Sequence, residues 1–312
     1  MILVGCQSES SVEQIVPKAE SNKATQFEQT PLSLADNELG FERSHGWLDE
    51  ETILYSASKG QASQLFSYHV PTGKKVLLYT LEGAISEVSI SPEKEYILTS
   101  SANGDDMEFL MLSSAGKQVF SFDVQAMEIS FSWNEFQEGL LLVESFDEDW
   151  LFTSYIVNIP EEQIQKLRLP QPFAQWASES QLLYMDLDQE TSESSASLKL
   201  YDMEEETVVP ILDQVLTFYA NQDVLMTVTD AQDENDKIKY IFSDWQGKRL
   251  NEWKVPAIGS EADWNSYPFS LIPNKQSLVT FIPDAGPETD EDIDSYNLVE
   301  YNWVTGDMTT LK

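Results

Sequence analysis

Short apolar runs alternate with polar turns along most of the chain. Six times a large apolar residue leads a polar hinge and then an apolar, β-prone run. They read Trp47-LDEET-ILYSAS, Ile90-SPEKE-YILTSS, Trp133-NEFQEG-LLLVES, Trp176-ASESQ-LLYMDL, Tyr219-ANQD-VLMTVTD and Leu271-IPNKQS-LVTFIPD. The first five leading residues stand at equal steps of 43, and the sixth follows after 52, room for one inserted loop. Gly73, Gly116, Gly247 and Gly306 form a second column, each inside a turn-like segment (PTGKK, SAGKQ, WQGKR, VTGDM). Glycine suits such hairpins because it accepts positive φ. The third and fourth units carry NIPEEQ and DMEEET at that place.

Each unit divides into four strands, in the second one AISEVSIS, YILTSSA, EFLMLS and KQVFSFDV. Four strands in about 40–45 residues is the signature of a propeller blade. Helical repeats of similar length need a 3.6-residue period, whereas these runs are short, β-branched or aromatic and turn-bounded. Runs such as GLLLVES and VLMTVTD are nearly continuous because stacked blades cover both faces of each sheet. The predicted fold is all-β, a six-bladed β-propeller of four-stranded antiparallel blades over residues 37–312. Two readings of ring closure stay open. The first and last blades own all their strands, FERSHGW being the first inner strand and DMTTLK the last outer one. Alternatively, a segment near PLSLAD adds a strand to the last blade.

Ahead of the repeats, Leu3-Val4-Gly5-Cys6 has the form of a bacterial lipobox. Residues 1–6 read as the remnant of a lipoprotein signal peptide, with Cys6 as the lipidated residue and most of the leader upstream of Met1. Cys6 is the single cysteine, so no intrachain disulfide forms. Residues 7–36 are polar and poor in aromatics, too little apolar surface to offset ordering entropy. They read as a flexible tether with a reach of about 30 Å.

Charge narrows the range of partners. Asp and Glu number 54 against 18 Lys and Arg, a net charge of −36, with arginine only at 43, 168 and 249. A nucleic-acid partner needs a cationic surface, so none is expected. The acid is concentrated in the loops joining second and third strands: ANGDDME, FDEDW, DLDQETSES, DAQDEND and DAGPETDEDIDS. Strand direction alternates within a blade, so these five loops share one rim. Asp186, Asp188, Asp230, Asp233, Asp290 and Asp292 are the candidate ligands for calcium, a hard cation that prefers carboxylate oxygen. None of the loops has the EF-hand spacing with its glycine; a surface for a basic partner is a second reading, and such charge also solvates loops and discourages edge pairing. The recurring aromatics Trp47, Trp133, Trp176 and Tyr219 read as packing between blades.

His45 and His69 are the only histidines. The chain lacks GxSxG, HExxH, CxxC and the phosphate-binding GxxxxGK[ST]. No catalytic residue, cofactor-binding residue or cofactor is assigned. Paired carboxylates acting on cell-wall glycans are the alternative that needs no such motif.

The hinge Ile90-Ser-Pro-Glu-Lys resembles the SPDG-like turn of TolB-type propellers. Lipobox, tether and six units opening with HGWLDEETILYS together resemble the YqgU-like lipoproteins of Gram-positive bacteria. The resemblance implies a lipid-anchored propeller on the extracytoplasmic face of the cell membrane, and it brings no catalytic residue. The reading that follows is a monomeric, non-enzymatic scaffold for a surface protein or cell-wall component. A glycan hydrolase or calcium-dependent binding module stands as the alternative.

Overall fold

The computed structural model describes residues 40–104, 106–187, 195–231, 237–256, 269–283 and 296–311. Cys6 and the segment 7–36 lie outside them. Within them the only helical element is a 3-10 turn at Pro273–Lys275. Blade 1 comprises Gly40–Trp47, Thr52–Lys59, Ala62–His69 and Lys74–Glu82. Blade 2 comprises Glu87–Ile90, Tyr96–Asn103, Asp106–Ser113 and Gln118–Gln125. Blade 3 comprises Glu128–Trp133, Leu140–Phe146, Phe152–Asn158 and Gln163–Leu167. Blade 6 comprises Phe269–Ile272, Ser277–Pro283, Tyr296–Asn302 and Met308–Thr310. All neighbours pair antiparallel in chain order, from an inner first strand to an outer fourth.

Blades 4 and 5 differ in being joined. Blade 4 starts with Gln175–Trp176, Gln181–Asp186 and Ala196–Asp202, and blade 5 ends with Leu225–Asp230, Lys237–Ser243 and Arg249–Pro256. Between them runs one 14-residue strand, Thr207–Ala220, so the two blades form a seven-stranded sheet. Its first half pairs Thr207–Leu212 with blade 4, and its second half pairs Thr217–Ala220 with blade 5. Register shifts fall between Ala196 and Leu198 and between Val215 and Thr217, and Gln214 takes φ 58°. The bend lets one strand serve as the outer edge of one blade and the inner edge of the next.

The glycine column sits in the turns between third and fourth strands, where Gly73, Gly116, Gly247 and Gly306 have φ of 68°, 82°, 78° and 79°. Gly116 is doubly required, since a Cβ there would lie 2.4 Å from the Leu78 carbonyl oxygen of blade 1. At the same turn of blades 3 and 4, Glu162 and Glu206 adopt φ of 52° and 51°. An L residue with a Cβ is disfavoured there. Glu162→Gly and Glu206→Gly are each expected to stabilise the fold by about 0.5–1 kcal/mol. Thermal melting checks this, and an unchanged or lower midpoint would contradict it.

The apolar interior lies between blades. One cluster joins Leu54 and Leu65 of blade 1 to Ile97 and Leu112 of blade 2. Another joins Leu98 and Phe109 of blade 2 to Leu141 and Val157 of blade 3. Blades 3 and 4 share Leu142, Trp176 and Leu182, and blades 4 and 5 share Leu183, Leu198 and Phe218. Blades 5 and 6 share Phe242, Leu278 and Trp303, with Phe242 stacked on Trp303 at 6.0 Å and Trp253 on Tyr301 at 4.6 Å. A sixth cluster draws on blade 1 alone, around Tyr55, Phe66 and Tyr68. Among the described residues, no strand of blade 1 pairs with blade 6. PLSLAD, the other candidate for closing the ring, lies outside them.

Candidate functional site

A cavity of about 530 Å³ opens among the inner strands and hinges of blades 2 to 5. Ser130, Ser132 and Trp133 come from blade 3, Gln175 and Trp176 from blade 4, and Tyr219 from blade 5. Glu135 and Phe136 of the blade 3 hinge and Asn221 of the blade 5 hinge line the same cavity.

The hinge aromatics explain how the wall is built. Trp133 donates its indole N–H to Ser89 Oγ (2.9 Å) and Trp176 donates to the Ser132 carbonyl (2.9 Å), each reaching back to the inner strand of the preceding blade. Trp176 is buried, whereas Trp133 and Tyr219 are half-buried. Trp47, the first of the column, departs from the expected packing and is 50% exposed. Hinges also clasp one another. Ser91 Oγ donates to Glu138, Asn134 Nδ2 donates to the Ser178 carbonyl (3.2 Å), and Glu135 accepts the Gln222 N–H (3.3 Å).

Several polar groups of the cavity are engaged within the protein. Gln175 Nε2 donates to the Phe218 carbonyl and its Oε1 accepts the Ala220 N–H, while Asn221 Oδ1 accepts the N–H groups of Asp223 and Val224. Glu135 is the one carboxylate in the lining. Burial raises its pKa, the Gln222 N–H opposes this, and the Asp223 charge adds to it. Paired-carboxylate hydrolysis needs a second acid about 5–9.5 Å away, and the described lining holds none.

Both histidines lie on blade 1, outside this wall. His45 Nε2 is 2.9 Å from Ser56 Oγ, and burial, aided by the Arg43 charge, lowers its pKa to about 4. The ring is therefore a neutral base near pH 7, but Ser56 is buried at 2% exposure and closed to a substrate. His69 bridges Glu51 (3.0 Å) and Thr72 (2.8 Å) beside a turn.

In blades 2 to 6 the acidic segments fall in sequence between the second and third strands, and of these loops the one at 147–151 is described throughout. Of the candidate calcium ligands, Asp186 and Asp230 are described. Asp188, Asp233, Asp290 and Asp292 lie outside the described residues. Asp186 is ion-paired with Lys199, whose pKa is raised first by that hydrogen bond. Asp230 is exposed and lines a separate 400 Å³ cavity with Lys239 and Arg249. Among the described residues, no three His, Cys, Asp or Glu side chains converge as a metal site.

Two features escape the repeat pattern. Glu144, inside the apolar run Leu140–Phe146, is 1% exposed, and its Oε2 accepts the Phe173 N–H at 2.8 Å. Its Oε1 and Oγ of Ser154, paired directly across the strands, are buried without a hydrogen-bond partner in the protein. Burial pushes the carboxyl up to about 7 against the N–H groups of Phe173 and Ala174. The second feature is an exposed aromatic surface on the same blade, around Trp150 and Phe173. An acid interrupting an otherwise apolar strand was the one available signal for Glu144.

The four-stranded antiparallel blades, joined from hinge to hinge across neighbouring blades, define a β-propeller. The chain belongs to the YqgU-like 6-bladed beta propeller domain family, whose model matches residues 69–312. It is 28% identical over 188 residues to the uncharacterized lipoprotein YqgU of Bacillus subtilis (strain 168), a match covering 60% of this chain and 53% of the relative. The chain thus spans about half the length of that relative. Among solved structures, the uncharacterized protein lmo1340 from Listeria monocytogenes EGD-e superposes with a TM-score of 0.78 at 21% identity, covering 87% of this chain and 82% of that one. The β-propeller domain of the Trilobed protease from Pyrococcus furiosus, with its open velcro topology, gives 0.57 at 14% identity, covering 87% and 84%. At these identities the structural likenesses establish the fold alone.

Proposed function

We propose that this chain is a lipid-anchored lipoprotein of the extracytoplasmic membrane face, whose propeller is a non-enzymatic scaffold for a surface protein or cell-wall component. The observation that carries the scaffold reading is the state of the cavity between blades 2 and 5. The Trp133 and Trp176 indoles, the Gln175 amide and the single carboxylate Glu135 make blade-to-blade hydrogen bonds, which fits a structural more than a chemical role for this wall. Cys6 in Leu-Val-Gly-Cys and the lipoprotein relative support the anchor. Two acyl chains on one cysteine give stable membrane attachment.

Cys6→Ala tests the anchor. In cells, the wild-type chain is expected in the membrane fraction with incorporated labelled fatty acid, and the variant in the medium or soluble fraction without label. Retention of the variant in the membrane fraction would remove the anchoring role of Cys6. Crosslinking on intact cells tests the scaffold, and failure to recover any partner across several growth conditions counts against it.

A further inference from the structure

On blade 3 the rim with the second-to-third-strand loops carries a cluster of large apolar side chains turned to solvent. Trp150 is 64% exposed, Leu151 68%, Met127 63% and Phe173 57%. They come from three segments: the loop after Leu140–Phe146, the connection from blade 2, and the connection to blade 4. Phe146, buried at 4%, binds them together. Its ring lies 5.2 Å from Phe173, stacked, and 6.0 Å from Trp150, and its carbonyl accepts the Met127 N–H at 2.8 Å. Scattered apolar residues on a surface need no explanation, but a contiguous group of this kind marks an interaction site.

The cluster is also constructed at a cost to the backbone. Trp150 and Phe173 have φ of 61° and 62°, a region that bulky L residues seldom enter. Strain of this sort collects at ligand clamps. Each residue is held there. Asp147 Oδ1 accepts the N–H groups of Asp149 and Leu151 at 2.9 Å, closing the loop beneath Trp150. Buried Glu144 accepts the N–H of Phe173. Two depressions flank the Met127 ridge, of about 520 and 280 Å³, and Asp147 and Glu148 border both.

Charge selects the occupant. Exposed Glu128, Glu148 and Asp149 border the two depressions beside the aromatic floor, with Lys166 the one cation in their lining, on a chain of net charge −36. An acidic partner is repelled. A purely polar cation gains nothing from four uncovered apolar side chains. We infer that the blade 3 rim formed by Met127, Trp150, Leu151 and Phe173, with Glu128, Glu148 and Asp149, docks a polypeptide segment in which lysine or arginine alternates with aromatic or large aliphatic residues. The apolar side chains cover Trp150 and Phe173 while the cations meet the acidic border, where arginine or lysine over an indole adds a cation–π contribution. This rests on the scaffold reading and gives it a partner class.

The test uses the full chain and a ten-residue peptide alternating lysine with tryptophan and leucine. A lysine/serine peptide of equal charge and an oligomer of N-acetylglucosamine serve as comparisons. Binding is read by calorimetry at 0.15 M salt, and the footprint by hydrogen–deuterium exchange. The apolar cationic peptide is expected to bind at least about tenfold more tightly than the lysine/serine peptide and to protect segments 125–128, 146–152 and 171–174. Trp150→Ala with Phe173→Ala is expected to abolish that tenfold advantage. Met127→Ser with Leu151→Ser, wholly at exposed positions, reduces it even if the aromatic pair variant fails to fold. Glu148→Lys with Asp149→Lys is expected to weaken binding further. Equal binding of the two peptides would reduce the effect to general attraction by the acidic chain and overturn the proposal. So would unchanged binding in the folded variants, or variant-sensitive preference for the amino-sugar oligomer. If these arms fail while crosslinking on cells still recovers a partner, the scaffold stands and the blade 3 surface is excluded.

Discussion

Replacing Trp176 by alanine is expected to destabilise the propeller by about 3–5 kcal/mol, the range for removing a large buried aromatic. Its ring is 3% exposed and packs in the cluster shared by blades 3 and 4. Its indole N–H satisfies the Ser132 carbonyl on the neighbouring inner strand. Trp176→Phe keeps much of the apolar contact and loses the donor, so a smaller loss of about 1–2 kcal/mol follows. Trp47→Ala removes a side chain that is 50% exposed and should cost no more than about 1 kcal/mol. Urea midpoints of the three variants at one pH check the ranking. Equal losses at positions 47 and 176 would mean that the aromatic column does not act by fastening each blade to its predecessor.

The second large effect belongs to Glu144 and depends on pH. Its carboxyl titrates near 7 in the folded chain against an ordinary value of 4.5, mainly because of burial. The native state therefore keeps a proton that the unfolded chain gives up. The stabilisation linked to that proton is complete below about pH 4.5 and is lost as pH rises through about 7. A shift of this size corresponds to about 3 kcal/mol. Glu144→Gln cannot ionise, its amide oxygen can still accept the Phe173 N–H, and its NH₂ offers a donor on the face shared with Ser154. The variant should match the wild type near pH 4.5 and exceed its stability by about 3 kcal/mol at pH 8. Comparing the two proteins cancels the repulsion among the other acids, which also grows with pH. A stability difference that stays constant from pH 4.5 to 8 would show that Glu144 titrates as an ordinary carboxylate.

Blade number, strand order and turn positions were legible because each rests on a local pattern repeated six times. The glycine turns could be read from composition alone, and even the exceptions obey them, since Glu162 and Glu206 occupy the same left-handed position. Trp47 was misread because burial of a hinge tryptophan is not local. Trp133 and Trp176 are covered by reaching the inner strand of the blade before them, a contact the described residues do not give Trp47. The fusion of blades 4 and 5 depends on one bend at Gln214, where Asp213-Gln214 separates two apolar runs and reads as an ordinary turn between two strands. Glu144 was hidden by its apolar neighbours in LLLVESF. The Trp150–Phe173 surface was invisible because nothing in a sequence marks a bulky residue for positive φ.

The strand Thr207–Ala220 has a mechanical consequence for the ring. At the junctions of blades 1 with 2, 2 with 3 and 3 with 4, neighbouring sheets meet through side chains and a short connection, so they can rock or part by a small rotation. Between blades 4 and 5 the same motion would shear backbone hydrogen bonds on both sides of a single strand. This pair behaves as one stiff wedge, and any breathing of the disc must be taken up elsewhere along its circumference.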